Sequence, residues 1–460
     1  MTDLTNGAAA PQSATPASGG VANLYRAVWR WHFYAGLLVL PFMISLAVTG
    51  AIYLYHNEID RWFHADFMQV TPGDQALPPT ELVAAALSAQ PGTAVKYTDP
   101  ARDDLSTQIT IQPETGPRMA AYVNQYNGEV LEVREDRTTI GWTVRLLHSF
   151  RLLGATPRMI IEIVAGWSIL LVATGIWLWW PRGQKGGVVS VRGTPRRRVF
   201  WRDLHAVTGI GIGGFIVFLT LTGLPWSSVL GAKVNQWANG HNFGYPAGLR
   251  IDVPMSDEHL DHVAKTSWTL EQAQIPEATQ PHGAAPISID AAVETFDRLG
   301  MHRGYSVALP TKPSGVYSAS VYPDDLDQQR VVHLDQYSNE PLIDMSYADY
   351  GPLGRGLEWG IGTHMGQTFG VVNQIVLLIA CAGIVLLSVS AGVMWWKRRP
   401  SGSLGVPPLP ADRRVFIGLF ALLAIGGVLF PLTGLSLVVM IGLDLIWQRL
   451  STPGRSAPQA

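Results

Sequence analysis

Four of the twelve histidines stand at matched positions along the chain. His32 is followed by Gly36 and by Thr49-Gly50, and His205 is followed at the same offsets by Gly209 and by Thr222-Gly223. His148 is followed by Gly154 and Trp179-Trp180; His364 is followed likewise by Gly370 and Trp395-Trp396, with basic residues after each tryptophan pair. Such matching is the mark of an internal repeat, which has to be sought before any site is assigned. A neutral imidazole is a good metal ligand, and two that face each other at membrane depth supply both axial ligands of a b-type haem, which needs no Cys-x-x-Cys-His attachment motif. The chain has no such motif, and its single cysteine, Cys381, cannot by itself form a disulfide, a thiolate zinc site or an iron–sulfur cluster. The chemistry the spacing points to is one-electron transfer through two haem b groups.

The elements that must hold these histidines are membrane spans. The chain is 47% hydrophobic and 15% charged, against roughly 25% charged for an ordinary soluble domain, so much of it does not face water. The formal net charge of −2 excludes the basic excess of a nucleic-acid binder. Residues 33–55, 159–180, 206–230 and 371–396 each reach the ~20 apolar residues needed to cross a bilayer. A last apolar stretch, 415–447, is either one long tilted helix or a hairpin folded at Pro431 and Gly434. Sixteen tryptophans suit aromatic belts at the two membrane faces.

Charge sets the orientation. Residues 181–202 hold seven basic residues and no acid, and 397–414 hold five against Asp412, so both loops are expected in the cytoplasm. Residues 56–157 carry 13 acids against 8 bases and 232–367 carry 17 against 8, so both are expected outside it. The expected order is a disordered cytoplasmic tail (1–24), span 1 (25–56), a first outer domain (57–137), an amphipathic segment with span 2 (138–180) and a basic loop (181–202). Span 3 (203–231), a second outer domain (232–355), span 4 (356–397), a loop (398–414) and the C-terminal membrane segment (415–450) follow.

Each outer segment reads as a small α+β unit. In the first, 80–90 looks helical, 107–112 alternates like a strand, and 119–133 reads as two strands joined at Asn127-Gly128. In the second, 289–299 looks helical and strand-like runs fall at 305–309, 316–322 and 330–335. Residues 122–131 echo 333–342, sharing Gln, Tyr, Glu and Leu at matched positions. The fold class is thus an α-helical integral membrane protein with two parallel internal repeats and two α+β periplasmic domains.

Parallel repeats place their pseudo-twofold axis along the membrane normal, so His32 meets His205 near the inner face and His148 meets His364 near the outer face. Gly36 lies one turn and Gly50 five turns from His32, ~27 Å further on the same helix face, and Gly209 and Gly223 repeat this from His205. Missing side chains at those heights suit a macrocycle lying against the helix, although helix packing uses glycine in the same way. Arg145, Arg151 and Arg355 on the outer side and Arg26, Arg30 and Arg202 on the inner side are candidates to neutralise haem propionates. Glu162 reads as interfacial, His259 and His262 as an exposed helix face, and the tryptophan pairs as interface anchors.

Trp29-Arg-Trp-His-Phe-Tyr-Ala-Gly36 with Thr49-Gly50, Leu147-His148, Asp203-Leu-His205 with Thr222-Gly223, and His364 with Trp395-Trp396-Lys-Arg together resemble the PepSY-associated transmembrane family over about residues 25–450. That family comprises iron-regulated inner-membrane proteins, including FoxB-type ferric-siderophore reductases. The resemblance implies that the outer units are PepSY domains and that His32, His148, His205 and His364 ligate haem. It also implies that siderophore-bound Fe(III), or another ferric chelate, is reduced in the periplasm to release Fe(II). No nucleotide or flavin motif is present, so electrons must come from a cytoplasmic or quinol donor. Trp237, Phe243, Tyr245, Tyr347, Tyr350 and Trp359 are candidate contacts for a bulky substrate. Two rivals stand beside this expectation. One is a haem subunit exchanging electrons between quinol and a partner redox protein; the other is a haem-free PepSY interaction module, which would be colourless and would tolerate loss of all four histidines.

Overall fold

The structure, a computed structural model, describes residues 19–451 apart from 184–185, 242, 245–254, 260–265, 272, 403, 408–420 and 422–423. The first half runs α1 (Gly19–Tyr53), α2 (Pro79–Ala89), β1 (Thr93–Thr98), β2 (Thr107–Gln112), β3 (Met119–Val123), β4 (Val130–Glu135), α3 (Ile140–His148) and α4 (Ala155–Trp179). The second runs α5 (Arg198–Gly223), α6 (Leu230–Gly240), β5 (Met255–His259), β6 (Gln274–Pro276), α7 (Ile289–Arg298), β7 (Ser306–Ala308), β8 (Val316–Val321), β9 (Arg330–Asp335), β10 (Pro341–Ser346), α8 (Pro352–His364) and α9 (Gly370–Arg398). A final helix, α10 (Pro431–Ser451), follows.

Four stretches, Asn23–Tyr53, Met159–Trp179, Arg198–Trp226 and Gly370–Arg398, are long and apolar enough to cross a membrane. They pack in a ring: α1 touches α4 and α9, and α5 touches the same two. The helix that carries His32 therefore stands diagonally across the bundle from the helix that carries His205. The spans that follow His148 and His364 form the other diagonal.

The two segments beyond the spans do not fold as two separate sheets. They build one antiparallel sheet of eight strands in the order β10-β9-β8-β7-β1-β2-β3-β4. The join is the pairing of β1 with β7, where Lys96, Tyr97 and Thr98 oppose Ala308, Val307 and Ser306. Each half contributes one helix and four strands, and inward residues of both halves, Leu82, Tyr97, Ile109, Phe296, Val307 and Leu334, share one core. The helices α2 and α7 meet through Thr80, whose N–H and hydroxyl both donate to the Asp290 carboxylate at 2.8 and 2.6 Å. Strands 107–112 and 330–335 and the hairpin about Asn127-Gly128 fall where alternation put them, whereas β1 and β10 had not been expected. His259 lies in β5, paired with β6, so it is not on a helix; His262 lies outside the described residues.

At the C-terminus the chain turns back sharply at Phe430-Pro431. A Cβ on Gly427 would come within 2.7 Å of the Gly434 Cα, whereas residues seven apart in one helix are separated by ~10.5 Å. The helix α10 then packs on α4: the Trp167 indole N–H donates to the Ser436 hydroxyl at 2.8 Å, and Leu437 joins the buried cluster of Trp31 and Trp167.

Candidate cofactor site

His148 and His364 each close a short helix at the sheet side of the bundle. Thr139 caps α3 by accepting from the Trp142 N–H, and Asp60 accepts from the Gly141 N–H at 2.8 Å, which leaves His148 in the last turn. The chain then bends through two left-handed residues, Phe150 (φ 52°) and Gly154 (φ 107°), before α4 begins. After His364 the same two positions are Gly366 (φ 79°) and Gly370 (φ 56°), and α9 begins. The matched glycines six residues beyond each histidine thus have a backbone reason, since side chains rarely adopt a positive φ.

Each of these imidazoles is held by the threonine of a Thr-Gly pair from the other span of its own half. The Thr49 hydroxyl donates to the Ser45 carbonyl at 2.6 Å, so its oxygen accepts from the His148 Nδ1–H, 3.0 Å away. The Thr222 hydroxyl donates to the Phe218 carbonyl at 2.7 Å and accepts from the His364 Nδ1–H at 2.8 Å. With the proton on Nδ1, the lone pair of each ring is on Nε2, the arrangement of a ligating histidine with its outer hydrogen-bond partner. Both groups lie outside the four spans, and burial pushes His148 down to about 4 and, with the neighbouring imidazole adding to it, His364 down to about 3, so both are neutral.

The histidines at the opposite end are held by the same device. His32 Nδ1 lies 2.8 Å from the Thr174 hydroxyl, which donates onward to the Leu170 carbonyl at 2.6 Å. His205 Nδ1 lies 3.0 Å from the Leu387 carbonyl and 3.3 Å from the Ser390 hydroxyl. His32 and His205 are near enough to interact electrostatically. Among the described residues none of the four Nε2 atoms makes a hydrogen bond. Thr174 and Ser390 were missed in the sequence, although both stand 26 residues beyond the matched histidines His148 and His364. In each half, then, each span supplies the hydroxyl that fixes the other's histidine.

The His148 and His364 ring centroids lie 6.4 Å apart with the ring planes at 84°, and both rings line an apolar cavity of about 290 Å³. Two imidazoles bound to one metal from opposite sides, with bonds of ~2.0 Å and a further ~1.1 Å from nitrogen to ring centre, would have centroids ~6.2 Å apart. The glycines divide. A Cβ on Gly50 would lie 3.2 Å from the His148 Cε1, and one on Gly223 would lie 3.6 Å from the His364 Cε1, so these two glycines make room for the rings. Gly36 and Gly209 instead face Leu171 and Leu387, while Gly175, which follows Thr174, is the glycine against His32, 3.3 Å from its Cε1.

The arginines divide as well. Arg145 and Arg151 line the cavity with the two histidines. Arg355 is exposed and does not line it, and Arg26 is also exposed. Arg30 is buried and donates to the Pro407 carbonyl and the Tyr34 hydroxyl. Arg202, with Arg192, clamps the fully buried Asp203. The last two are committed to structure rather than poised for a propionate.

Residues 29–398 match the profile of the family described as the PepSY-associated TM region. The chain belongs to that family. No curated relative matches it. The PepSY-associated match takes in most of the first span, the other three spans, the eight-stranded sheet and the four histidines, and it leaves α10 outside.

Two acids are buried near the bundle, and the aromatic candidates divide between core and surface. Glu162, near the start of its span, is fully buried, and its Oε2 accepts from the Val229 and Leu230 N–H groups at the start of α6. Glu358, on α8, is buried and accepts from the Thr269 N–H and hydroxyl at 2.9 and 2.8 Å. Tyr350 is a core residue and Tyr347 packs against the same cluster, so neither is a free contact surface. Trp237 and Phe243 stack at 5.4 Å and are exposed, as is Trp359; Tyr245 lies outside the described residues. Of each tryptophan pair, the first ties down a loop, Trp179 donating to Val188 and Trp395 to Leu404, and the second is exposed.

Proposed function

We propose that this chain is a two-haem electron carrier of the bacterial inner membrane that reduces a ferric siderophore, or a similar ferric chelate, at its sheet side. The observation that carries the proposal is the pair of neutral imidazoles, His148 and His364, opposed across an apolar cavity at a separation suited to one six-coordinate metal. Haem b in that cavity would supply a one-electron carrier, and a second between His32 and His205 would extend the path towards the other face.

The work of the protein is positional. Thr49 and Thr222 hold the tautomer and the ring plane, Gly50 and Gly223 clear the flank of each ring, and the apolar lining would limit water around a bound haem. Arg145 and Arg151 stand where propionates would need neutralising. Thr49, which holds the sheet-side His148, lies 17 residues beyond His32 on one helix, so the two histidine levels are ~25 Å apart, most of the hydrocarbon thickness. The seven basic residues of 181–202 support a cytoplasmic side for the His32/His205 end, where a quinol or cytoplasmic donor would deliver electrons. The two matched halves, read as parallel repeats, account for both histidine pairs with one device. The substrate's Fe(III) gains one electron and leaves as Fe(II), which hard oxygen donors hold more weakly.

The test is the dithionite-reduced minus oxidised spectrum of the purified protein, with haem quantified as its pyridine adduct and a ferric trihydroxamate then added. Two haems per chain and prompt reoxidation are expected. A colourless protein would remove the electron-transfer proposal, and stable reduction in the presence of the chelate would remove the ferric substrate.

A further inference from the structure

Beside the seam, on the sheet face turned away from α2 and α7, stands a cation that the fold leaves unpaired. Lys96 of β1 alternates with the core residue Tyr97 and so points to the other face, level with Thr110 of β2 and Ala308 of β7. It is half-buried, and among the described residues it makes no hydrogen bond and no ion pair, while its Nζ is not closed off from approach. Burial lowers the Lys96 pKa from its ordinary value; Asp136 offsets part of this, and the guanidinium groups of Arg137 and Arg118 add to it. Lys96 is thus short of negative charge.

Arg137 links this lysine to the histidine cavity. Its backbone is left-handed (φ 62°), a conformation uncommon outside glycine, and its guanidinium lies over the Trp142 ring, 5.1 Å from the centroid. Its contact with Asp136 is 3.6 Å, too long for a direct hydrogen bond. Arg145 approaches the same ring at 4.9 Å, and Trp142 and Arg145 both line the cavity that holds His148 and His364. A half-buried indole with guanidinium groups over it therefore joins the cavity wall to the surface.

The second half has no counterpart. Counted back from His364 as Arg137, Trp142 and Arg145 are from His148, the matched residues are Leu353, Glu358 and Ile361. Glu358 is spent on Thr269, Ile361 is buried, and none of the three lines the cavity. Glu271, the one acid in the cavity wall, comes from the second half, whereas both arginines there come from the first. The cationic approach to the histidines is on one side only.

We infer that Lys96, Arg137 and Trp142 form the docking surface for an anionic, carboxylate-bearing metal chelate. Lysine and arginine meet carboxylate oxygens through charge-assisted hydrogen bonds, and the indole face takes the apolar flank of the ligand beside the cavity. The choice of a metal chelate rests on the proposed ferric reduction, and the surface narrows its substrate to complexes of net negative charge.

The test is calorimetric titration of the full-length, detergent-purified protein at pH 7.5 and low salt with gallium(III)–EDTA, an anion. Gallium(III) has the charge of Fe(III) and takes no electron from a haem, so binding is read apart from electron transfer. Saturable binding at one site per chain is expected. Lys96→Gln and Arg137→Gln should each weaken it at least fivefold, and Arg355→Gln, an exposed cation of the second half, should leave it unchanged. The Arg137 side chain is itself exposed, so its variant reads docking without disturbing the fold. A cationic gallium(III) trihydroxamate should bind at least tenfold more weakly, as should succinate, a dicarboxylate without a metal. Absence of saturable heat, equal binding of the cationic complex or of succinate, or unchanged affinity in both the Lys96 and Arg137 variants would overturn the inference. A ferric chelate that docks here yet fails to reoxidise the reduced protein would leave it standing and remove the ferric substrate instead.

Discussion

The two histidine pairs use one device in two mechanical settings. His148 and His364 end short helices that hang from left-handed bends, and each ring depends on one threonine hydroxyl from a neighbouring span. His32 and His205 sit within the spans themselves, and His205 has two acceptors, the Leu387 carbonyl and the Ser390 hydroxyl. The first pair is set by loop geometry and can be approached from the sheet side. The second is set by the packing of the bundle. A mutation at the sheet side should therefore act on one site alone, and at the far side His205, which has two acceptors, should resist the loss of one of them better than His32, which has Thr174 alone.

The strongest challenge to that contrast is His364→Ala, which should remove about half of the bound haem while leaving the rest; unchanged content in the pyridine assay would refute the pairing. Next is a pair of glycine variants. Gly50→Val puts atoms into the His148 ring and should abolish most sheet-side haem binding, whereas Gly36→Ala meets only Leu171 at 3.9 Å and should leave both sites filled. Equal losses would return both glycines to ordinary helix packing.

The third comparison concerns the acceptors. Thr222→Val leaves the His364 Nδ1–H without a partner, weakens the ring as a donor to iron, and should raise one of two midpoint potentials by roughly 20–60 mV, the electrical equivalent of one hydrogen bond. Ser390→Ala leaves His205 its carbonyl and should shift the other potential by less, as read by redox titration. The smallest effect lies in the sheet. The Asp99 pKa is raised by burial, so below about pH 4 the carboxyl is protonated whether the chain is folded or not. Between about 4 and 6 the folded form keeps a proton that the unfolded form loses, and above about 6 the full cost of a buried charge is present. Asp99→Asn should therefore raise the thermal midpoint at pH 7.5 by a few degrees and have no effect near pH 4.

Much of this arrangement was legible in the sequence because it is written in offsets. Span positions follow from runs of apolar residues, and the matches of the histidines, of Thr49 and Thr222, and of Gly50, Gly223, Gly154 and Gly370 have a hydrogen-bond, steric or backbone requirement behind them, whereas Gly36 and Gly209 face only leucines. Thr174 and Ser390 obey the same rule and were overlooked because a hydroxyl in an apolar helix can satisfy itself on its own preceding turn, as both also do. The arginines were not legible: Arg202 and Arg30 take the nearest acceptors that the fold brings, Asp203 and the Pro407 carbonyl, and no spacing announces that choice. Nor was the seam between β1 and β7, since β1 is short, holds Lys96, and pairs with a strand some two hundred residues away. Local alternation specifies a face, not a partner.

That seam has a further consequence. Either half alone would carry one imidazole of each pair, and its first strand would lie at an open edge with no mate. Two copies of such a half-length chain, set side by side about the bundle axis, would close both the sheet and the two histidine pairs. A single covalent chain thus closes the sheet at the β1–β7 seam and brings His148 to His364 without a second subunit.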